Sequence, residues 1–337
     1  MLFFVYFSLF FLLTFAGDFR NTPVEIFINA TSHYGAGVQF AMYTKDLTAD
    51  FIYSNPVFRE SYVPFYVSQE GRKIYDELYA YHNATFPDYM EELRGMSESV
   101  GCPFFLLFMN SLNEEFSYFM PSHLKYPKED HCSDIIIHDK DTHIIAHNED
   151  GSTLNINHTI LAHVLIYKNK TLSSNFTSYC YPAQLPTAAF GWNEDIVFSM
   201  NYLHTSSYDR KGISRNFIAR YLLDSSSYED AVQRITKTPH FVGHNYQLTS
   251  NPSSKHNPTT SVVDIEIAPF FRIGYVEALP SRPHFHANMY DIIMVDDTPS
   301  NSSIYREQVY KQYNPPTTIS EALQILGDEY PLYYINL

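Results

Sequence analysis

Cys132 stands in the segment Asp130-His131-Cys132-Ser133-Asp134, followed closely by Ala146-His147-Asn148-Glu149-Asp150, and this pairing is the part of the chain best suited to chemistry. A cysteine becomes a useful nucleophile when a nearby base or positive group favours its thiolate. The strand after Cys132 can return Asn148 and Asp150 toward it as polar orienting groups. If the chain were cut between His131 and Cys132, the α-amine of Cys132 would itself be the base. Such an amine titrates at about 7.7–8.0, close to the optimum for general-base work near neutrality. The cut can use the same thiol, with Sγ attacking the His131 carbonyl and water opening the ester-like intermediate. Against an amide substrate the step repeats: Sγ attacks the carbonyl, polar donors hold the oxyanion and the amine leaves from a thioester.

The surrounding elements must bring these groups together. A charged, proline-containing stretch over 121–130 reads as an exposed loop leading to Cys132. Strands over 135–137 and 144–146 flank the polar turn Asp139-Lys140-Asp141 as in a hairpin. Upstream, residues 68–100 have helical periodicity broken at Phe86-Pro87. Downstream, strands are predicted over 159–167, 196–202 and 261–267, and Ser226-x-x-Glu229 and Thr318-x-x-Glu321 read as capping boxes opening two helices. Helices, then strands mixed with helices, predict an α+β fold with sheets packed between helical layers.

Composition narrows the function. A net charge of −15 excludes a nucleic-acid partner or an anionic membrane surface, both of which need a basic patch, and is compatible with a cationic substrate. With 45% hydrophobic and 16% aromatic residues, the chain can bury a core. Residues 1–16 are apolar and read as a signal peptide, too short for the roughly 20 residues of a membrane span. Six sequons, at Asn29, Asn83, Asn157, Asn169, Asn175 and Asn301, fit a secreted or luminal glycoprotein, extracellular or lysosomal. Three cysteines in an oxidising compartment leave at least one unpaired: either Cys102 and Cys180 form a disulfide and Cys132 is free, or all three are reduced. His143, His147, His158, His284 and His286 invite a metal reading, but no spacing among them matches a known metal motif, so no metal is expected.

The sequence resembles the family of N-terminal-nucleophile hydrolases that contains the fungal acyl-coenzyme A:6-aminopenicillanic acid acyltransferase and the insect N-β-alanyl-dopamine hydrolase. The resemblance rests on Tyr89-Met90-Glu91-Glu92-Leu93-Arg94-Gly95, Cys132 with Asn148-x-Asp150, Phe190-Gly191-Trp192-Asn193, Met200-Asn201-Tyr202, His286-Ala287-Asn288 and Ser303-x-x-Arg306. It implies a four-layer αββα sandwich, with residues 17–131 and 132–337 as two chains that stay associated after self-cleavage. It also implies that Cys132 is nucleophile and new N-terminus, that Asp150 supports processing and orients the amine, and that Asn288 donates to the oxyanion. Asn148, Asn201 and Arg306 are implied as supporting groups of the pocket. The implied reaction is hydrolysis of a small N-acyl amine, such as an N-β-alanyl amide, without a cofactor. The alternatives are acyl transfer within the same family, or an inactive secreted binding glycoprotein. Two features depart from the family pattern: His131 stands where the family commonly has Gly, and no Arg follows Tyr330-Pro331.

Overall fold

The structure is a computed structural model that describes residues 22–125, 132–138, 143–149, 152–187, 189–255, 261–279, 284–297 and 299–327. Strand β1 (Val24–Ala30) leads into a helical run: α1 (His33–Tyr43), α2 (Lys45–Ser54), a π-helical turn (Phe58–Tyr62), α3 (Val63–Val67), α4 (Gln69–Thr85), α5 (Pro87–Val100), α6 (Phe104–Ser111) and α7 (Asn113–Phe119). The predicted helical stretch over 68–100 is therefore two helices. Ser68 caps the first by accepting from the Gly71 amide. Pro87, whose missing N–H is not needed in a first turn, opens the second, and Gly101 closes it at φ +68°.

Strands then dominate: β2 (Ser133–His138), β3 (His143–Asn148), β4 (Ile160–Lys168), β5 (Thr171–Cys180), β6 (Phe190–Asn193) and β7 (Ile196–Leu203). Helices α8 (Arg215–Leu222) and α9 (Tyr228–Lys237) intervene before β8 (Gly243–Ser250), β9 (Val262–Ala268), β10 (Arg272–Glu277) and β11 (His284–His286), and α10 (Asn301–Tyr310) and α11 (Ile319–Leu326) follow. One eight-stranded sheet runs β1-β4-β5-β6-β7-β8-β9-β10, and a three-stranded sheet runs β11-β2-β3. Within the large sheet, β1 pairs in parallel with β4 from Val24 opposite Ile160 to Ala30 opposite Ile166, and the other pairs are antiparallel.

Burial explains the layering. Every residue of β8, β9 and β2 is buried, which requires cover on both sheet faces. Helices such as α1 pack on one face of the large sheet, the small sheet packs on the other through β3 and β7, and α10 and α11 cover the small sheet. The α+β expectation with sheets between helical layers is met. The α1–α5 contact is tight because it crosses at glycines: a Cβ on Gly37 would stand 1.9 Å from the Glu92 carbonyl oxygen, and one on Gly95 2.2 Å from that of Tyr34.

Two expectations need correction. The first cap lies one residue later than read, at Ser227, whose side chain accepts from the Asp230 amide, while Ser226 instead donates to the Asp230 carboxylate. Thr318 and Glu321 do form a capping box. The Cys102–Cys180 disulfide is absent: Cys180 is buried in the apolar core at the end of β5, Cys102 lies in the turn after α5, and both are free thiols that burial pushes up, Cys102 to about 11. Of the six sequon asparagines, Asn29, Asn157, Asn169 and Asn301 are exposed, and Asn83 and Asn175 are half-buried. Among the described residues no helix is long and apolar enough to cross a membrane.

Candidate active site

The β2–β3 hairpin builds the site. Its register sets Ser133 opposite Asn148 and Asp134 opposite His147, so Cys132, just before β2, meets the residues ending β3. Side chains alternate across a strand, which turns His147 and Asn148 to opposite faces. His147 points inward to the large sheet with Asp134. Asn148 points outward, where its amide donates to the Leu326 carbonyl of α11 at 3.4 Å. The sequence-predicted Asn148 therefore braces the hairpin against α11.

Around the thiol is a chain of hydrogen bonds that the sequence reading did not assign. Cys132 Sγ donates to Glu149 Oε2 at 3.1 Å, and Tyr181 Oη donates to Glu149 Oε1 at 2.8 Å. His147 lies between two carboxylates, with Nε2 3.2 Å from Glu149 Oε2 and Nδ1 2.9 Å from Asp134 Oδ1. Asp134 is wholly buried and also accepts from Ser199 Oγ at 2.7 Å and Asn201 Nδ2 at 2.6 Å, both on β7. Asn201 thus acts on Asp134 and, through it, on His147.

These contacts set the protonation states. Burial would lower His147, but the charge of Asp134 and hydrogen bonds to Asp134, Cys132 and Glu149 outweigh it and hold the ring well above the ordinary histidine value. Burial would raise Glu149, yet the hydrogen bond and charge of His147, helped by Arg215, keep it below the usual carboxylate range. For Cys132, burial and then the charge of Glu149 push the thiol up to about 12, against a smaller pull from His147. The contacts favour a protonated His147 ring and an ionised Glu149, beside a thiol that does not ionise unaided. A proton acceptor must therefore serve the thiol at the moment of attack.

Arg306 on α10 joins the thiol's main chain to the predicted oxyanion donor. Its Nη1 donates to the Cys132 carbonyl and, at 2.5 Å, to Ser133 Oγ, while its Nη2 donates to Asn288 Oδ1 at 3.0 Å and Ser303 Oγ at 3.1 Å. Asn288 Nδ2 donates one hydrogen to the Tyr202 carbonyl at 3.0 Å, and the amide carries a second. The spacing Ser303-x-x-Arg306 works because residues three apart share a helix face.

Behind Asn288 lies a second buried polar cluster. Glu266 accepts from the amides of Asp291, Ile292 and Ile293 at 2.6, 3.0 and 2.8 Å and pairs with His286 Nε2 at 3.0 Å. His284 and Asn245 both contact Asp264. Burial would lower His286, but the charges of Asp264 and Glu266 raise it to about 9. These ion pairs tie β11 to β9 and fix the loop that carries Asn288.

The structure thus brings Cys132, Asn288 and Arg306 together, places Asn201 on Asp134 behind His147, and sends Asn148 elsewhere; Asp150 and His131 lie outside the described residues. His147 and Glu149 stand two residues apart at the end of β3, a spacing visible in the sequence, but only the register with Asp134 shows which face is chemical. Cys132, His147 and Glu149 also have donor atoms all within 4.8 Å of one another, the one such group among the described residues that could share a metal ion. Both His147 nitrogens are already engaged by carboxylates, so a metal would have to displace Glu149 from the ring. A cavity of about 570 Å³ lies elsewhere, between α4, α5, α8 and α9, lined by Asp88, Tyr89, Asp224 and Arg234 among others.

Comparison with known proteins gives two matches. The family described as acyl-coenzyme A:6-aminopenicillanic acid acyl-transferase matches residues 137–335, beginning just after Cys132. The beta-alanyl-dopamine/carcinine hydrolase of Drosophila melanogaster is 28% identical over 330 residues, covering 92% of this chain and 84% of that protein.

Proposed function

Because this chain belongs to the acyl-coenzyme A:6-aminopenicillanic acid acyl-transferase family, a family of acyltransferases and hydrolases, we propose that it is a self-processing cysteine amidohydrolase acting on small N-acyl amines, N-β-alanyl amides among them. The observation that carries the reading is Cys132 itself, with its thiol inside the buried polar chain and its carbonyl clipped by Arg306 to Asn288.

Self-cleavage before Cys132 yields chains 17–131 and 132–337 in an αββα N-terminal-nucleophile fold, after removal of a signal peptide over 1–16 and export to a secreted or lysosomal destination. The freed α-amine then takes the thiol proton as Sγ attacks the amide carbonyl. The Sγ–C bond forms, the oxyanion is met by the second N–H of Asn288, and the C–N bond breaks as the proton passes from the α-amine to the leaving amine. Water, activated by the same amine, cleaves the thioester and restores the thiol. A thiol pushed up to about 12 makes that acceptor necessary. Asp150 is assigned to processing and to orienting the amine. Hydrolysis is favoured over transfer because the matched fly protein is a hydrolase.

Intact mass under reducing conditions, after deglycosylation, tests the reading on wild type beside Cys132→Ala. Two fragments in the wild type, the larger beginning at Cys132, with only full-length chain in the variant, are expected. A single uncut chain in both would remove the α-amine and with it the mechanism.

A further inference from the structure

We propose that Glu149 is the specificity-determining residue of this site and receives the ammonium group of a cationic N-aminoacyl substrate. The inference rests on the cysteine-hydrolase reading above and adds to it the group that selects the acyl half.

The argument begins with a donor count. Glu149 has three described donors: Cys132 Sγ–H and His147 Nε2–H on one oxygen, Tyr181 O–H on the other. The carboxylate side chain is only 14% exposed, so little water reaches it. When Cys132 becomes a thioester its sulfur has no hydrogen left to give, and the acyl-enzyme must either leave this buried carboxylate short of a donor or supply another. Loss of a partner by a buried charged group is costly.

An acyl group with a terminal ammonium replaces that donor. In a β-alanyl thioester two methylenes separate the acyl carbon from the nitrogen, a reach of about 4 Å by ordinary bond lengths. The acyl carbon is bonded to a sulfur that itself stands 3.1 Å from the carboxylate, so the chain can fold its ammonium back to hydrogen-bond distance of Glu149. A butyryl group of the same shape carries a methyl in that place and leaves the carboxylate unserved. Sites built to hydrogen-bond a substrate group reject analogues that lack it strongly, because their own buried partner is left unpaired.

The measurement is kcat/KM for the N-β-alanyl and N-butyryl amides of one amine, dopamine, with the processed wild type and with Glu149→Gln. The wild type should prefer the β-alanyl amide by about a hundredfold or more, and Glu149→Gln should bring that ratio to within about tenfold of unity. Equal losses on both amides, with the preference kept, would overturn the assignment while leaving the cysteine hydrolase standing, since that is how a general base or a merely structural residue behaves. Wild type that cleaves neither amide would remove both proposals. Should Glu149→Gln fail to mature, the wild-type ratio still decides: equal rates for the two amides overturn the assignment. So would an unchanged ratio in Tyr181→Phe, which takes away the hydrogen bond that orients the carboxylate.

Discussion

Two clusters of buried charge, one between helices and one beside Cys132, resemble each other in parts and differ in what they can do. In the helical layer Glu92 takes a two-pronged contact from Arg220, at 2.8 and 3.1 Å, and accepts from His33 at 2.7 Å. Arg220 also pairs with Asp224 at 3.0 Å and lies over the rings of Phe176 and Tyr89. The cation here is a guanidinium, which keeps its proton at any accessible pH, and no nucleophile is present. Beside Cys132 the cation is an imidazolium, the acceptors are shared with a thiol, and each link can lose or gain a proton. Burial of charge alone therefore does not mark a reactive site; burial of charge whose protons can move does.

The comparison breaks first, and with the largest effect, at Glu92. Glu92→Ala takes the two-pronged partner from a fully buried Arg220, leaving it Asp224 alone, and should cost about 3–5 kcal/mol of stability by denaturant titration. A loss below about 1 kcal/mol would mean that the helical cluster is not a structural clamp. The counterpart at the other cluster is Asn288→Ala, expected to lower kcat by about 10²–10³, the usual cost of losing one oxyanion donor, beside a stability loss of about 1–3 kcal/mol from the lost bonds to the Tyr202 carbonyl and Arg306. Unchanged turnover would move that role to another residue. A smaller effect is expected from Gly95→Ala, whose methyl would meet the Tyr34 carbonyl at 2.2 Å; overpacking of this kind costs about 1–3 kcal/mol, read as a lowered denaturation midpoint.

Titration sharpens the contrast most finely. Because His147 is held above its ordinary value of about 6.5, its ionised form stabilises the fold fully below that pH, and the contribution is lost as pH rises through the raised value. The stability difference between wild type and His147→Gln should therefore be constant below about pH 6.5 and shrink above it. The Glu92–Arg220 clamp should show no such alkaline decline over that range, because the guanidinium stays charged. A difference that grows with pH would mean that the ring is buried neutral.

Much of the scaffold was legible because its signals are local. The polar turn between Ile137 and Ile144 fixed the β2–β3 hairpin, Phe86-Pro87 placed the break between α4 and α5, and the strands predicted over 159–167, 196–202 and 261–267 match β4, β7 and β9 to within a residue or two at their ends. The site was only half legible. Cys132 was found from its own context, and Asn201, Asn288 and Arg306 through a resemblance; Cys132, Asn288 and Arg306 meet at one place. Asp134, His147 and Glu149 were passed over because their role depends on contacts that no local pattern carries: Asp134 is held by Ser199 and Asn201, more than sixty residues away on another sheet. The helix motif from Tyr89 to Gly95, which looked like part of a functional signature, is architectural, supplying Glu92 to Arg220 and a glycine to a close crossing.

The placement of β1 also bears on what would hold the molecule together if the proposed cut were made. β1 and α1–α7 precede Cys132, whereas β4, beside which β1 runs for seven residue pairs, and α8, which carries Arg220, follow it. A cut before Cys132 would turn the interior of one domain into the interface of a heterodimer. Two pieces joined by a continuous backbone ladder, a shared apolar core and a buried ion pair form an obligate partnership, whose halves have no separate folded state to return to. Dilution would not part them, and an enzyme cut in two would go on behaving, by size and by melting, as a single body.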